Sequence, residues 1–407
     1  MGVFFLLYLN LRVKPEGIPR EYVALYRELE VKLTGFEKQL AAQSDQEEYP
    51  TIFAAEFLAA NGNHGRGLLN EEKYPYILKY LDALQSLGIK GVKISLNYPL
   101  LVSDFPDSEK YLKFYQQLSQ EIRVARGLKL LVQATAMFTQ AEFADTSLPT
   151  RQYYQGLTLE KYQEGKREHL QKIIEFVQPD YLTIETEPDT MAYLTGVDEL
   201  NTPRGFAEII RSELASLSEH PQTLIGAGVG SWSKREFIEE LAAIPQLDYL
   251  ETRIYPITDN FLQNAMDYLD LAKAKGKKTI IGEAWLYKAG ENELHVEVGG
   301  QAAAWAEFFR RDVYSFWQPL DQKFLEILVK IAHEQKVEFV SPFWSNYFFA
   351  YLDYGWTTRN RSATELLKLS RRQAVKNTWE PKLTQTGLKY QELIKTLQES
   401  PPPPAAK

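Results

Sequence analysis

The chain has 407 residues, 44% hydrophobic and 13% aromatic, with 46 basic against 54 acidic side chains for a formal net charge of −8. The acids are dispersed, which argues against nucleic acid as a partner, and no apolar run reaches the roughly 20 residues that a membrane span needs. Cysteine is absent, which removes disulfides, thiolate metal sites and a cysteine nucleophile.

In chain order, the apolar start "MGVFFLLYLNLRV" lacks a basic stretch ahead of it and a small-residue cleavage site, so it reads as a packed strand or helix, with the remnant of a trimmed signal as the alternative. No localisation follows from it. Residues 15–49 read as one or two helices, set either below the main domain or against its side. Eight β-rich runs then follow, at 50–58, 91–97, 128–138, 180–187, 223–230, 247–255, 278–285 and 337–344. Several are nearly continuous in apolar residues, as strands buried on both faces are.

The gaps hold segments with apolar residues at three-to-four spacing, among them "YPYILKYLDALQSLG", "SEKYLKFYQQLSQEIRVARG" with Ser108 as the expected N-cap, and "PRGFAEIIRSELASLSEH". Eight strands alternating with helices point to an α/β parallel sheet closed into a (β/α)8 TIM barrel. An open doubly wound sheet is the alternative, weakened by the lack of a glycine-rich phosphate fingerprint after the first run. The expected organisation is a largely helical N-terminal extension over 1–49, the barrel over 50–375, and a C-terminal helix with a proline-rich tail over 376–407.

Barrel active sites lie at the C-terminal strand ends. Those ends carry Asn61 and Asn63 after strand one, Lys93, Asn97 and Tyr98 on and after strand two, and Gln133 and Phe138 from strand three. Strand four brings Glu185 and Glu187, strand six Arg253 and Tyr255, strand seven Glu283 and Trp285, and strand eight Trp344 and Asn346. Glu187 in "ETEP" and Glu283 in "IIGEAW" stand on roughly opposite sides of an eight-strand ring and can face each other across it. Paired carboxylates flanking a cleft are what glycoside hydrolysis requires. Arg253 or Lys93 near Glu283 would keep it ionised, while a less polar setting would raise the pKa of Glu187. Tyr255 is placed to orient Glu283. Period-two alternation puts Glu185 on the same side as Glu187, one layer deeper.

These strand ends resemble the superfamily of retaining (β/α)8 glycoside hydrolases, whose acid/base Glu ends strand four and whose nucleophile Glu ends strand seven. That superfamily typically reads Asn-Glu-Pro at strand four, where this chain has Thr186-Glu187-Pro188. Strand two usually carries Arg where Lys93 stands, strand six often shows His-x-Tyr where Arg253-Ile254-Tyr255 stands, and Trp344 matches a sugar-stacking Trp of strand eight. The loop "FADTSLPTRQYYQG" is similar, more weakly, to a segment of the endo-β-1,4-galactanases. The resemblance implies a glycosidase acting on β-linked saccharide by double displacement, with Glu187 as acid/base and Glu283 as nucleophile. Asn63, Lys93, Asn97, Gln133, Thr186, Arg253, Tyr255, Trp285 and Trp344 would shape the sugar site. A carbohydrate is the expected partner, and no cofactor or metal is implied. Thr186 and Lys93 depart from the pattern: one shortens a contact to the sugar 2-hydroxyl, the other loses a bidentate fork.

Two other readings stay open: a carbohydrate-binding barrel without turnover, and a metal-assisted enzyme using Glu185, Glu187 and Glu283 as oxygen ligands. Trp285 and Trp344 can equally be core aromatics. His169, His220 and His333 are expected on helix surfaces, while His64 in the loop "NGNHGRG" is at the barrel mouth. That loop lacks the Lys-Ser/Thr and spacing of a phosphate cradle. The segment 291–305 after strand seven reads as an acidic, glycine-bearing loop over the site or on the surface.

Overall fold

The computed structural model describes residues 17–41, 50–219, 221–256, 260–293, 302–380 and 382–399. The apolar N-terminal stretch, the proline-rich tail, His220 and residues 294–301 of the loop after strand seven lie outside the described residues. Eight parallel strands close into a barrel in sequence order. They are β1 (Ile52–Glu56), β2 (Gly91–Ser95), β3 (Lys129–Gln133), β4 (Tyr181–Thr183), β5 (Leu224–Gly230), β6 (Tyr249–Ile254), β7 (Lys278–Ala284) and β8 (Phe339–Pro342). The expected TIM barrel is the observed fold, and β8 closes it on β1 through Phe339 beside Ile52.

Helix α1 (Val23–Ala41) precedes the barrel; α2 (Tyr74–Gln85) and α3 (Ser108–Gln120) follow the first two strands. After β3 come α4 (Thr150–Gln155) and α5 (Leu159–Lys172), and after β4 come α6 (Pro188–Thr195) and α7 (Pro203–Leu214). The ring continues with α8 (Arg235–Ala242), α9 (Gln263–Ala274), α10 (Ala302–Asp312) and α11 (Gln318–Glu334), and ends with α12 (Ala363–Trp379) and α13 (Gln385–Glu399).

Local chemistry fixes many of these starts. At α7 the Thr202 side chain accepts from the Gly205 amide ahead of Pro203 in the first turn. At α12 Ser362 and Glu365 form a reciprocal capping box. At α3 the expected cap is displaced by one: Asp107, in left-handed backbone at φ 60°, precedes Ser108, the first helical residue. Helix α1 lies on the side of the barrel, where Leu29 and Leu33 are buried and Lys323 and Lys330 of α11 reach Thr34 at 2.7 Å and Glu37 at 2.6 Å.

Inside the barrel two layers stack. The lower is apolar and aromatic, built from Ala54, Leu131, Tyr181, Tyr249, Ile280 and Phe339. The upper is polar, and the pairings Glu56 with Lys93, Ser95 with Gln133, Gln133 with Thr183 and Arg253 with Glu283 run round it. Strand β5 gives room to both. A Cβ on Gly226 would lie 2.2–2.4 Å from atoms of the Tyr249 ring, and one on Gly228 would lie 2.6 Å from the Cβ of Glu251. The glycines of "GAGVG" are thus the space that the larger β6 side chains occupy.

Gly226→Ala should therefore destabilise the fold by about 1–3 kcal/mol through overpacking. Gly35→Ala, on exposed helix surface with nothing within 4 Å of the new Cβ, should leave stability equal or slightly higher. Denaturant midpoints of the two variants check this; equal midpoints would refute the space-filling role of β5.

Candidate active site

A cavity of about 250 Å³ opens at the mouth of the barrel. Glu187, Arg253, Tyr255, Glu283, Trp344 and Asn346 line it together with Asn63, His64 and Asn97, and with the aromatic rings of Phe138, Phe143, Trp232, Tyr287, Phe309 and Phe343.

Glu283 reaches this cavity through a break in strand geometry. Gly282 already faces inward, since a Cβ there would lie 2.5 Å from Gln133 and Glu251 side-chain atoms. Strict alternation would turn Glu283 outward. The register between β6 and β7 shifts by one residue between Glu251 and Arg253, which brings Glu283 opposite Arg253 and inward. Its Oε1 then accepts from Lys93 Nζ at 2.7 Å and pairs with Arg253 Nη2 at 3.3 Å, and its Oε2 accepts from the Tyr255 hydroxyl at 2.9 Å. Burial raises its pKa, but Arg253, Lys93 and these hydrogen bonds outweigh that and hold the carboxyl below the ordinary carboxylate value.

Glu187 is placed by a different device. Strand β4 ends at Thr183, and Glu187 takes left-handed backbone, φ 49° and ψ 69°, immediately before Pro188 opens α6. Proline disfavours right-handed helix at the residue before it, and α6 must start at once, so the turn is made in this less populated region. Glu187 Oε1 pairs with Arg253 Nη1 at 2.9 Å. Burial pushes its pKa up to about 7; Arg253 opposes this and the Glu283 charge adds to it.

Two acids that the sequence reading passed over complete the charged layer. Glu56 at the end of β1 pairs with Lys93 and accepts from Asn61 Nδ2 at 3.3 Å; burial pushes its pKa up to about 7 against the pull of Lys93. Glu251 on β6 accepts from Gln133 Nε2 and Thr183 Oγ1, each at 2.5 Å, and from Arg253 Nε at 3.3 Å. Both were visible as acids within apolar strand runs, the same signal that marked Glu283. The layer thus holds four buried carboxyls, Glu56, Glu187, Glu251 and Glu283, against the cations Lys93 and Arg253. Of these, Glu56 and Glu187 are the two that burial pushes up to about 7.

The expected sugar-site residues divide into three groups. Asn63, Asn97, Arg253, Tyr255 and Trp344 line the cavity. Asn63 Oδ1 accepts from the Phe138 amide at 2.9 Å, and Asn97 Nδ2 donates to the Ala136 carbonyl at 3.0 Å, so both also fix the strand-three loop. Lys93 and Gln133 lie beneath the floor, the first on Glu283 and Glu56, the second between Glu251 and Arg253, whose Nη2 it accepts at 2.8 Å. Thr186 and Trp285 stand away from the cavity: the Thr186 hydroxyl is buried without a protein partner among the described residues, and Trp285 packs on Tyr347 and Phe348 with Lys288 over its ring. Their expected placement at the sugar site is corrected accordingly: both are buried and neither lines the cavity.

Glu185 is corrected as well. It lies behind the strand, where the Tyr162 hydroxyl donates to it at 2.5 Å and Lys166 Nζ pairs at 3.0 Å, so Glu185, Glu187 and Glu283 do not converge as a ligand set. Among the described residues no cluster of three His, Asp or Glu is arranged to hold a metal ion, and no helix is long and apolar enough to cross a membrane. His169 is not on a surface. It is fully buried, takes the Leu101 amide on Nδ1 at 3.3 Å and faces the Leu96 carbonyl with Nε2 at 3.1 Å. The inward face of α5 reads Tyr162, Lys166, His169, Leu170, and its polar members hid the amphipathic pattern.

No protein-family model matches the chain. No curated protein matches it either. Among solved structures it is similar to the exo-β-1,4-mannosidase Op5Man5 from Opitutaceae bacterium strain TAV5, with a TM-score of 0.55 and 12% identity over 86% of this chain and 62% of that one. The chain therefore spans less than two thirds of that mannosidase. A GH5_18 protein from Bifidobacterium longum subsp. longum matches at TM-score 0.49 and 14% identity, over 86% of this chain and 80% of its own. The likeness to the mannosidase is one of fold and agrees with the closed (β/α)8 barrel.

The shared guanidinium gives a stability prediction. Arg253→Met removes a cation from three buried carboxylates and should cost about 3–5 kcal/mol near pH 8. The carboxyl pKa values of the folded variant then rise above their unfolded values, so the folded state binds more protons and its stability falls as pH rises. The deficit relative to wild type should therefore be smaller at pH 5 than at pH 8. Denaturant titrations at both pH values check the sign, and a deficit independent of pH would refute it.

Proposed function

We propose that the protein is a glycoside hydrolase that cleaves β-linked saccharides with retention of configuration. The observation that carries this is the pair Glu187 and Glu283 in one aromatic-lined cavity, displaced in opposite directions from the ordinary carboxylate pKa. A carboxyl at about 7 is a proton donor at neutral pH, and one held ionised is a nucleophile. In the first step Glu187 protonates the glycosidic oxygen while a Glu283 oxygen attacks the anomeric carbon, so that the glycosidic bond breaks and an ester to Glu283 forms. In the second, Glu187 takes a proton from water, whose oxygen displaces Glu283 and releases the sugar.

The departures from the superfamily pattern have physical compensation. Lys93 offers Glu283 a point charge rather than a fork, and Arg253 adds a second cation to the same oxygen from β6. Thr186 does not line the cavity, but Asn97, Asn346 and Trp344 do, and Asn97 Oδ1, Asn346 Oδ1 and Trp344 Nε1 are buried without protein partners among the described residues. Those atoms suit sugar hydroxyls. Trp344, Trp232 and the stacked pair Tyr255 and Tyr287, centroids 4.4 Å apart, supply apolar faces for a ring.

The test is release of reducing ends from β-linked oligosaccharides and aryl glycosides, with β-1,4-mannosides in the panel, and NMR of the first-formed anomer. Retained configuration is expected; inversion would refute the double displacement. Glu283→Gln should lose at least ~10³-fold in kcat and Glu187→Gln about 10²–10⁴-fold on substrates with poor leaving groups. The wild-type rate should fall as pH rises through about 7, where Glu187 loses its proton, and again below the ordinary carboxylate range, where Glu283 gains one. Glu187→Gln should abolish the alkaline limb alone. No turnover of any panel member by wild type would leave a saccharide-binding barrel as the better reading.

A further inference from the structure

We propose that Arg371 recognises an oxyanion carried by the saccharide, so that the substrate class is an acidic glycan bearing a uronate carboxylate or a sulfate ester. This rests on the reading of the cavity as a saccharide site. Helix α12 reaches over the β1 and β8 side of the mouth and turns Arg371, with Ala374 and Val375 one turn further on, into the cavity. Two arginines line the cavity, and their situations differ. Arg253 is saturated by Glu187, Glu251, Glu283 and Gln133. Arg371 is partly buried, lines the cavity with His64 and Tyr80, and makes no ion pair or hydrogen bond among the described residues.

A guanidinium drawn out of water without a counter-charge is unfavourable, and among the described residues none pairs with it. The group beside it adds no competing acid: His64 donates Nε2–H to the Leu58 carbonyl at 2.9 Å, and its burial keeps the ring neutral. The neighbouring Asn346 has Nδ2 on Ser370 at 3.4 Å and its Oδ1 unpartnered, which can take a hydroxyl of the same sugar. Neutral hydroxyls alone would leave the Arg371 charge uncompensated. A planar carboxylate or a sulfate matches both the charge and the fork of donors. Arg371 belongs to a helix rather than to a strand end and bonds neither Glu187 nor Glu283, so it bears on which substrate enters rather than on bond cleavage.

Binding separates this from hydrolysis. The dissociation constants of methyl β-glucoside and methyl β-mannoside, of their uronic acids and of their 6-sulfates are measured by titration with wild type, Arg371→Gln and Arg371→Lys. At least one acidic series should bind about 10–100-fold more tightly than its neutral parent. Which series does so distinguishes carboxylate from sulfate. Arg371→Gln should erase the preference, Arg371→Lys should keep part of it, and higher salt should weaken it. Because Arg371 has no partner among the described residues, the glutamine variant should unfold at the wild-type midpoint. Equal binding of acidic and neutral probes, no binding of either acidic series, or a preference that survives Arg371→Gln overturns the proposal. Hydrolysis of neutral glycosides without an acidic preference sinks this inference alone, whereas an acidic preference without hydrolysis of any glycoside sinks the catalytic reading alone.

Discussion

The Arg253 guanidinium is the interaction on which the site depends. It bonds Glu187 after β4, Glu251 within β6 and Glu283 near the end of β7. Removing an ion from water carries a penalty of several kcal/mol even after relaxation, so three carboxylates cannot be gathered in a barrel throat without a shared cation. Lys93 performs the same service for Glu56 and Glu283. Glu283 alone touches both cations, and this explains why it is the acid held below the ordinary range while burial lifts Glu187 and Glu56. The asymmetry between the two candidate catalytic carboxyls follows from how two positive charges are divided among four negative ones.

That division requires a rigid floor. The charged layer sits directly on Tyr249 and its neighbours, and the Tyr249 hydroxyl bonds Thr183 at 2.8 Å, which in turn donates to Glu251. The aromatic layer below therefore orients the acid above it. Strand β5 contributes its absence of side chains, since Tyr249 and Glu251 fill the volume that Gly226 and Gly228 leave. A change at Gly228 would thus be felt at Arg253 through Glu251.

The fold was legible in the sequence because buried parallel strands write themselves as apolar runs, and eight such runs with helical gaps admit few architectures. Glu187, Glu283, Arg253 and Tyr255 were legible for a related reason: charge at the end of an apolar run is expensive unless used. The same argument applied to Glu56 and Glu251 and would have found them, but both lie inside their runs rather than at the ends. Arg371, Trp232 and Tyr287 carried no local signal. Arg371 lies on α12, whose rotation over the mouth is decided by packing against α2 and the β8 loop and not by its own sequence. Glu185 was misread because period-two alternation was carried past Thr183, where the strand stops, while Thr186 and Trp285 were placed at the sugar site by their position beside the two acids, which does not fix where a side chain points.

That last failure has a physical content of its own. Regular parallel strands point alternate residues at the barrel axis, and a regular β4 or β7 would serve the packed layer beneath the site. Each acid reaches the cavity only where regularity breaks: Glu283 at a register shift, Glu187 in left-handed backbone before Pro188. A non-glycine residue in that backbone region costs on the order of 1 kcal/mol or more and persists only where its surroundings over-determine it. Here Pro188 fixes the turn from one side, the Met191 amide bonds the Glu187 carbonyl at 2.9 Å, and Arg253 holds the carboxylate. The strained residue is therefore clamped at its backbone and at its side chain, and the carboxyl has little freedom except to gain or lose a proton.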